Sequence, residues 1–316
     1  MATVLLTALL MLAACSDYQH ASVYTPVGEL KFADPVLRAC VLDDAKRNGW
    51  KISGRVTQLQ CTNPEGDVIE TLDGIENLVN LKALDLAHNA ISNVHLIDRL
   101  EHLEQLDLGY NRIQIFNISR LRVSLKSLNV DHNEIADVAW LPLVRHVDDL
   151  SISHNHLQNI EAVAELAALK SLNMSSNQIV SIAPLEAVRE LREIDLGSNL
   201  LTDIDALGGH FQLVVLHLDG NQISHIDGLA ELLVLEELDL SRNKLSDVAP
   251  LAKIISLQRL DLSHNRISEL RPLEDLGDIE SINVKGNPLS CNVLGTLITV
   301  LGQDVVIADA CTTPQR

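Results

Sequence analysis

One asparagine recurs every 22 residues along this chain, and this repetition constrains the fold more than any other feature. The sequence around it follows the frame L-x-x-L-x-L-x-x-N-x-I-x-x-I, as in LKALDLAHNAISNV at 81–94. A repeat of this length predicts a solenoid of stacked units instead of two globular domains. The ten positions in register are Asn89, Asn111, Asn133, Asn155, Asn177, Asn199, Asn221, Asn243, Asn265 and Asn287.

The L-x-L core of each unit alternates with period two, which predicts a short β-strand with two buried Leu side chains. Such strands stack about 4.8 Å apart into a parallel sheet, and their Leu side chains form one continuous core. The Asn amide can both donate and accept, so we assign it to backbone groups in the turn after the strand and to no ligand. The return segments, such as APLEAV at 183–188, are too short for full α-helices.

These motifs resemble the 22-residue leucine-rich repeat found in internalins and in the leucine-rich regulatory subunit of protein phosphatase 1. The resemblance covers about residues 56–290. It implies an α/β repeat solenoid, a horseshoe with a parallel β-sheet on its concave face and short 3-10 or extended segments on its convex face. A helical N-terminal cap and a helix-strand C-terminal cap are expected at its ends.

We expect five regions along the chain, namely a lipoprotein signal peptide at 1–14, a lipidated tether at 15–30, an N-terminal cap with the first strand at 31–66, ten repeats at 67–287 and a C-terminal cap at 288–316. Asp34 and Pro35 predict the start of the cap helix, and Gly49 predicts its end. At the other end, CNVLGTLITVLGQDVVIADAC at 291–311 predicts a short helix followed by a strand near 305–307.

The first fourteen residues, MATVLLTALLMLAA, contain no charged side chain. The apolar run is shorter than the ~20 residues of a membrane span and is typical of a secretory signal. The sequence LAAC at 12–15 resembles the lipobox of bacterial lipoproteins, which implies acylation of Cys15. Ser16 then implies a bacterial envelope protein that is lipid-anchored to the outer membrane, in the periplasm or exposed at the surface. The alternative is an ordinary signal peptide with an incidental Cys.

The remaining four Cys form two local pairs, 21 and 20 residues apart. In an oxidising compartment they predict the disulfides Cys40–Cys61 and Cys291–Cys311. Either other pairing would bridge array ends about 45–50 Å apart, whereas bonded Cys need Cα atoms within ~7 Å.

Net charge excludes some classes of partner. The chain carries 43 acidic and 24 basic residues, a formal charge of −19. This disfavours nucleic acid and anionic membrane surfaces, so we expect membrane contact only through the lipid anchor. The motifs GxxxxGK[ST], HExxH, GxSxG and GxGxxG are absent. We therefore predict a monomer that is not an enzyme and has no catalytic residues and no cofactor.

The outward strand positions are the candidate binding site. They lie six, four and two places before each Asn, and ten of these thirty residues are acidic while two are basic. This excess predicts a concave face that binds a protein with a basic surface; the alternative is a solvated acidic surface with no ligand. The candidate partner-binding residues are Asp85, Asp107, Asp131, Asp149, Glu193, Asp195, His217, Asp219, Glu237, Asp239, Arg259, Asp261 and Lys285.

Two further functions stay open. The array could act as a structural or adhesive spacer of the envelope, or as the regulatory subunit of an enzyme such as a phosphatase, the latter by analogy of fold.

The position one place before each Asn is rich in aromatic and imidazole rings. It contains His88, Tyr110, His132, His154 and His264. Two His with Asp131 suggest a metal site, but such sequences are also ordinary turns, and we predict no metal. Arg122 and His210 occupy a column that is otherwise apolar. The sequence predicts local repacking in which Leu121 and Phe211 replace them in the core; the alternative is a bulge that serves a partner.

Overall fold

The computed structural model describes residues 23–62, 66–116, 118 and 125–310. Its sheet contains twelve parallel strands that pair in chain order, and each strand is two or three residues long. This confirms the predicted solenoid. The strands are β1 (Gln58–Gln60), β2 (Ala83–Asp85), β3 (Gln105–Asp107), β4 (Ser127–Asn129), β5 (Asp149–Ser151), β6 (Ser171–Asn173), β7 (Glu193–Asp195), β8 (Val215–His217), β9 (Glu237–Asp239), β10 (Arg259–Asp261), β11 (Ser281–Asn283) and β12 (Val306–Ile307).

The register of the sheet follows the sequence repeat. Leu106 of β3 pairs with Leu128 of β4, and each central residue from β2 to β11 pairs with one 22 places away. Equivalent side chains therefore lie in columns that run along the solenoid. We use "unit" for one strand with its following Asn turn and return segment.

The return segments form 3-10 helices on the convex side. Each is three to five residues long, as expected for segments too short to form α-helices. They are Ile75–Asn77, His95–Arg99, Leu141–Val144, Glu161–Glu165, Ala183–Ala187, Asp205–Gly209, Asp227–Glu231, Ala249–Lys253 and Arg271–Leu273.

One apolar layer per unit fills the space between the two sides. In the β8 unit, Leu216, Leu218, Ile223, Ile226 and Leu229 are all buried. Full burial of one such side chain contributes roughly 1.5–3 kcal/mol. The layers form one core cluster that runs from Val27 to Val306.

The Asn residues form the predicted ladder. The Asn133 amide nitrogen donates to the carbonyl oxygens of Leu108, Val130 and Asp131 at 3.0–3.1 Å. Its oxygen accepts from the Ile113 N–H of the preceding unit at 2.9 Å. Each Asn thus satisfies backbone groups in two units, which is the structural role predicted for it.

An α-helix and a disulfide close the N-terminal end. Helix α1 (Pro35–Asn48) starts after Asp34 and ends at Gly49, whose positive φ of 71° suits a residue without a side chain. One Asp34 oxygen accepts from the first turn of α1, and the other accepts from the backbone N–H groups of Glu70 and Thr71. The predicted Cys40–Cys61 disulfide is present and joins α1 to the end of β1.

The C-terminal end is closed by helix α2 (Cys291–Leu301), with Ser290 as its N-cap, and by β12. Leu294 and Leu297 of this helix are buried against the last layers. Cys291 is disulfide-bonded, but Cys311 lies outside the described residues, so their pairing stays a prediction. Cys15 also lies outside them.

The prediction for His210 was wrong. His210 itself fills the core column with no exposed surface, while Phe211 points outward and is 63% exposed. The imidazole fits because its ring nitrogens lie 3.1 Å from the carbonyl oxygens of Leu207 and Leu185. Burial lowers the pKa of His210, which keeps the buried ring neutral. Arg122 and Leu121 lie outside the described residues.

Candidate functional site

The strand side chains on either side of the buried central residue point to the concave face, as predicted. Positions six and four places before the Asn are exposed or half-buried in every unit. The column two places before the Asn is more enclosed, and Ala87, Ser153, Ser241 and Ser263 in it are buried. The concave surface is therefore mainly two columns wide, with the third along its edge.

In the N-terminal half of the concave face, each predicted carboxylate accepts a hydrogen bond from a side chain on a neighbouring unit. The register places three of these donors directly opposite their acceptors, while Ser151 reaches Asp131 diagonally. The pairs are Gln60 to Asp85 at 3.0 Å, Asn129 to Asp107 at 3.1 Å, Ser151 to Asp131 at 2.7 Å and Ser127 to Asp149 at 3.1 Å.

Asp107 of this half is half-buried. Burial raises the pKa of Asp107, although Gly109 N–H and the Asn129 amide donate to it and work in the opposite direction. The negative charges of Asp85 and Asp131 add to the increase.

The C-terminal half contains three carboxylates on consecutive units with a different environment. Asp195 and Asp239 accept from the backbone N–H groups of Gly197 and Ser241. Asp219 lies between them, over Gly197. A Cβ atom at Gly197 would lie only 2.3 Å from an Asp219 carboxylate oxygen, so a residue without a side chain is needed there. Across the described residues, no side chain donates a hydrogen bond to these three carboxylates.

This arrangement has an electrostatic consequence. Burial raises the pKa of Asp219, and the charges of Asp239 and Asp195 raise it further. Like charges held close together repel, and the repulsion is relieved when a proton or an external cation approaches. We use "acidic triad" for Asp195, Asp219 and Asp239.

The basic residue predicted at this end is already neutralised. Two guanidinium nitrogens of Arg259 donate to the same Glu237 oxygen at 2.8 and 2.5 Å, and His217 Nε2 lies 3.1 Å from the other. The hydrogen bond from Arg259 lowers the pKa of Glu237. Asp261 accepts from Asn283 at 2.7 Å, while Glu193 and Lys285 are exposed.

Two shallow depressions mark the concave face. The larger, about 670 Å³, lies between α1 and strands β1–β4, and Asp44, Arg47 and Asn48 of α1 line one side of it. These three residues were not predicted as part of the site, because the local sequence of a cap helix does not determine the angle at which it packs against the sheet. The smaller depression, about 340 Å³, lies over β8–β12 and is lined by residues that include His217, Asp239 and Asp261.

The residues one place before each Asn adopt positive φ, and four of them stack. The rings of His88, Tyr110, His132 and His154 follow one another with centroids 4.2, 3.9 and 3.8 Å apart. The planes of His132 and His154 differ by only 11°, so their in-plane lone pairs run nearly parallel and do not converge on one ion. In the described part of the chain, no group of three or more His, Cys, Asp or Glu could hold a metal ion.

No helix within the described ranges has both the length and the apolar character to cross a membrane.

Comparison with known proteins agrees with this architecture. Leucine-rich-repeat family models match residues 77–94, 123–179, 167–209, 233–249 and 256–276. The search of curated proteins gives no match. The chain is a leucine-rich-repeat protein.

Its fold is of the internalin type. An internalin (InlF) of Listeria monocytogenes is similar with a TM-score of 0.75 and 22% identity, over 92% of this chain and 95% of the other. The functional domain of InlJ from the same organism gives 0.77 and 22%, over 94% and 64%. The leucine-rich-repeat protein LIC12759 of Leptospira interrogans gives 0.66 and 22%, over 80% and 72%.

Proposed function

We propose that this protein is a non-enzymatic binding protein whose concave face recognises the basic surface of another protein. The acidic triad carries the proposal, because three consecutive carboxylates lie side by side and no side chain of the described residues donates to them. Keeping Asp219 ionised between Asp195 and Asp239 costs free energy that a cationic partner recovers. The N-terminal half of the face offers less, because its carboxylates already accept from neighbouring side chains.

The shape of the concave face indicates how such a partner is held. Both depressions described above are shallow, and most concave side chains are short and polar, so the contact is broad and depends on charge. Association of this kind is steered electrostatically and weakens as salt increases, with a screening length near ~10 Å at 0.1 M.

We further propose that the chain is a lipoprotein of the bacterial envelope, anchored to the outer membrane through Cys15. The support is the LAAC sequence that ends an uncharged apolar run. Mass spectrometry of the membrane fraction should find a mature N-terminus at Cys15 with attached acyl chains. A soluble chain that begins elsewhere would refute the anchor without affecting the binding proposal.

The binding proposal is tested with two variants of equal charge change. One is Asp195→Asn/Asp219→Asn/Asp239→Asn; the matched control is Asp85→Asn/Asp107→Asn/Asp149→Asn. Binding of a labelled oligolysine peptide is measured by fluorescence anisotropy at several salt concentrations. Three ion pairs near the surface, at roughly 0.5 kcal/mol each, total about 1.5 kcal/mol and suggest about a tenfold loss of affinity in the triad variant.

The control variant should lose much less. An equal loss in both variants would mean that the peptide responds only to net charge, and the site proposal would fail. Partners crosslinked from envelope extracts are then measured with the same two variants.

A further inference from the structure

The edge of the solenoid carries an exposed apolar stripe that the concave-face proposal does not use. Phe211, Leu233 and Ile255 occupy the same column in three consecutive units, in the turns that precede β8, β9 and β10. They are 63%, 54% and 62% exposed, and Val234 beside them is 45% exposed. Single exposed apolar residues are common, but a continuous row of large ones is typical of an interaction surface. We call Phe211, Leu233 and Ile255 the apolar stripe.

The stripe is a local departure from the repeat. Elsewhere the column contains no second run of large apolar side chains: it holds Val79, Glu101, Val123, Arg145, Ala167, Arg189 and Gly277. Val123 lies outside the described residues. The repeat therefore does not require an apolar residue here, and packing of the unit does not explain the stripe. At the β8 unit, His210 fills the core, which leaves Phe211 outside.

Opposite charges flank the stripe at its two ends. In the turn before β7, Arg189 and Arg192 outnumber Glu190, for a formal charge of 2 − 1 = +1. In the turn before β11, Asp275, Asp278 and Glu280 give −3. All six side chains are exposed. The stripe is thus apolar in the middle, basic at one end and acidic at the other.

A surface with this pattern is complementary to itself. A two-fold axis through Leu233 places Leu233 against Leu233, Phe211 against Ile255, and the turn before β7 against the turn before β11. Basic and acidic ends then face each other twice. Such an isologous contact is the commonest way in which identical chains associate.

The position of the stripe suits this contact. It lies where the chain passes from the convex 3-10 segments to the concave strands, on the lateral side of the horseshoe. Because this side is separate from the concave strands, two copies can lie edge to edge there while both concave faces remain open.

We propose that the apolar stripe binds a second copy of this chain, with the two copies antiparallel about Leu233. The sequence predicts a monomer, and this dimer would replace it. Glu231 and Glu236 flank Leu233. The two-fold axis brings these two side chains of one copy close to the same two side chains of the other copy. Their repulsion opposes association, so the dimer is of modest affinity.

Single cysteine variants test the geometry in the intact protein. Under mild oxidation, Leu233→Cys should form an intermolecular disulfide, since the axis passes through it. Val180→Cys is the matched control, because Val180 is similarly exposed, at 58%, and lies away from the stripe. A mixture of Phe211→Cys and Ile255→Cys should crosslink several-fold more than either alone, and this pair keeps Leu233 in place.

Charge reversal tests the same axis independently. Arg189→Glu should reduce crosslinking of Leu233→Cys several-fold, and Asp278→Arg added to it should restore the yield. The proposal fails if Leu233→Cys crosslinks no more than Val180→Cys, or if Phe211→Cys prefers itself to Ile255→Cys. Crosslinking of the stripe mainly to a different envelope protein would also overturn it. All variants alter exposed residues, and circular dichroism checks that each is folded.

Discussion

The N-terminal and C-terminal halves of the concave face contain carboxylates in the same columns, but the hydrogen bonds that these carboxylates accept differ between Asp131 and Asp219. In the N-terminal half, Asp131 accepts from Ser151 Oγ and from Ser153 N–H. In the C-terminal half, Asp219 has two charged neighbours, and no side chain among the described residues donates to it. One repeat can therefore contain carboxylates that accept from neighbouring side chains and, in the acidic triad, carboxylates that do not. Register alone does not decide which occurs: Asn129 donates to Asp107 across the sheet, whereas Asn173 lies opposite Asp195 in the same way and does not donate to it.

The largest expected effect is a loss of unfolding free energy, and it tests whether the same Asn ladder stabilises both halves. Asn133→Ala and Asn221→Ala each remove four hydrogen bonds to buried backbone groups, one in each half. Unsatisfied buried groups cost about 1–3 kcal/mol each, so both variants should lose several kcal/mol of unfolding free energy. Urea denaturation measures this. A clear difference between the two would mean that the halves differ in their ladder as well as in their charges.

The next effect concerns the N-terminal end alone. Cys40→Ala/Cys61→Ala removes a crosslink between residues 21 positions apart. Loops of this size stabilise by about 3 kcal/mol in the chain-entropy model. Thermal unfolding of the double variant should begin at this end, which hydrogen exchange in α1 and β1 would show. Unchanged protection there would indicate that apolar packing of Leu37 and Val41 holds the cap without the disulfide.

A matched pair tests the comparison of the carboxylates directly. Asp131→Ala should lower the free energy of unfolding by about 1 kcal/mol, because the Ser153 N–H loses its acceptor. Asp219→Ala should be neutral or slightly stabilising, because it removes repulsion from Asp195 and Asp239 without breaking any hydrogen bond to a side chain. Both are measured by urea unfolding at pH 7. Equal destabilisation would refute the difference between the halves.

The repeat accounts for how much of the fold could be predicted. A fixed step of 22 residues determines strand pairing, register, the Asn ladder and the buried Leu columns together. Asp34, Pro35 and Gly49 determine the cap helix by local capping chemistry. These features depend on short stretches of sequence repeated many times.

The site was predictable only in outline. The columns locate the carboxylates, and the register places Asn129 beside Asp107. However, the position of Asp219 over Gly197 depends on side-chain geometry that the repeat does not determine. His210 is buried in place of Phe211 because carbonyl oxygens of two units lie within hydrogen-bonding distance of the imidazole nitrogens. Both departures occur where one unit differs from its neighbours, which a repeat pattern alone cannot resolve.

The smallest effect is the pH dependence of stability, for which the contributions of Asp34 in the N-terminal cap and Asp219 in the acidic triad should differ in sign. Burial works to raise the pKa of Asp34, but four backbone N–H donors outweigh it and lower the pKa. Its stabilisation is present above the pKa of the unfolded state and is lost as pH falls through the folded pKa. For Asp219 the folded pKa is raised, so its contribution is greatest below the unfolded pKa and is lost as pH rises through the folded value.

Unfolding free energies measured in urea from pH 3 to pH 7 at fixed ionic strength should show both trends. From about pH 4 upwards, Asp219→Asn should gain stability relative to the natural protein, by less than the ~1 kcal/mol of a partly screened charge interaction. Asp34→Asn should show its largest deficit near pH 7 and a smaller one at acidic pH. Asp107→Asn is measured beside them, because burial also raises the pKa of Asp107 in the N-terminal half. If Asp219→Asn gains nothing over this range, the acidic triad stores no repulsion, and the C-terminal half would resemble the N-terminal half after all.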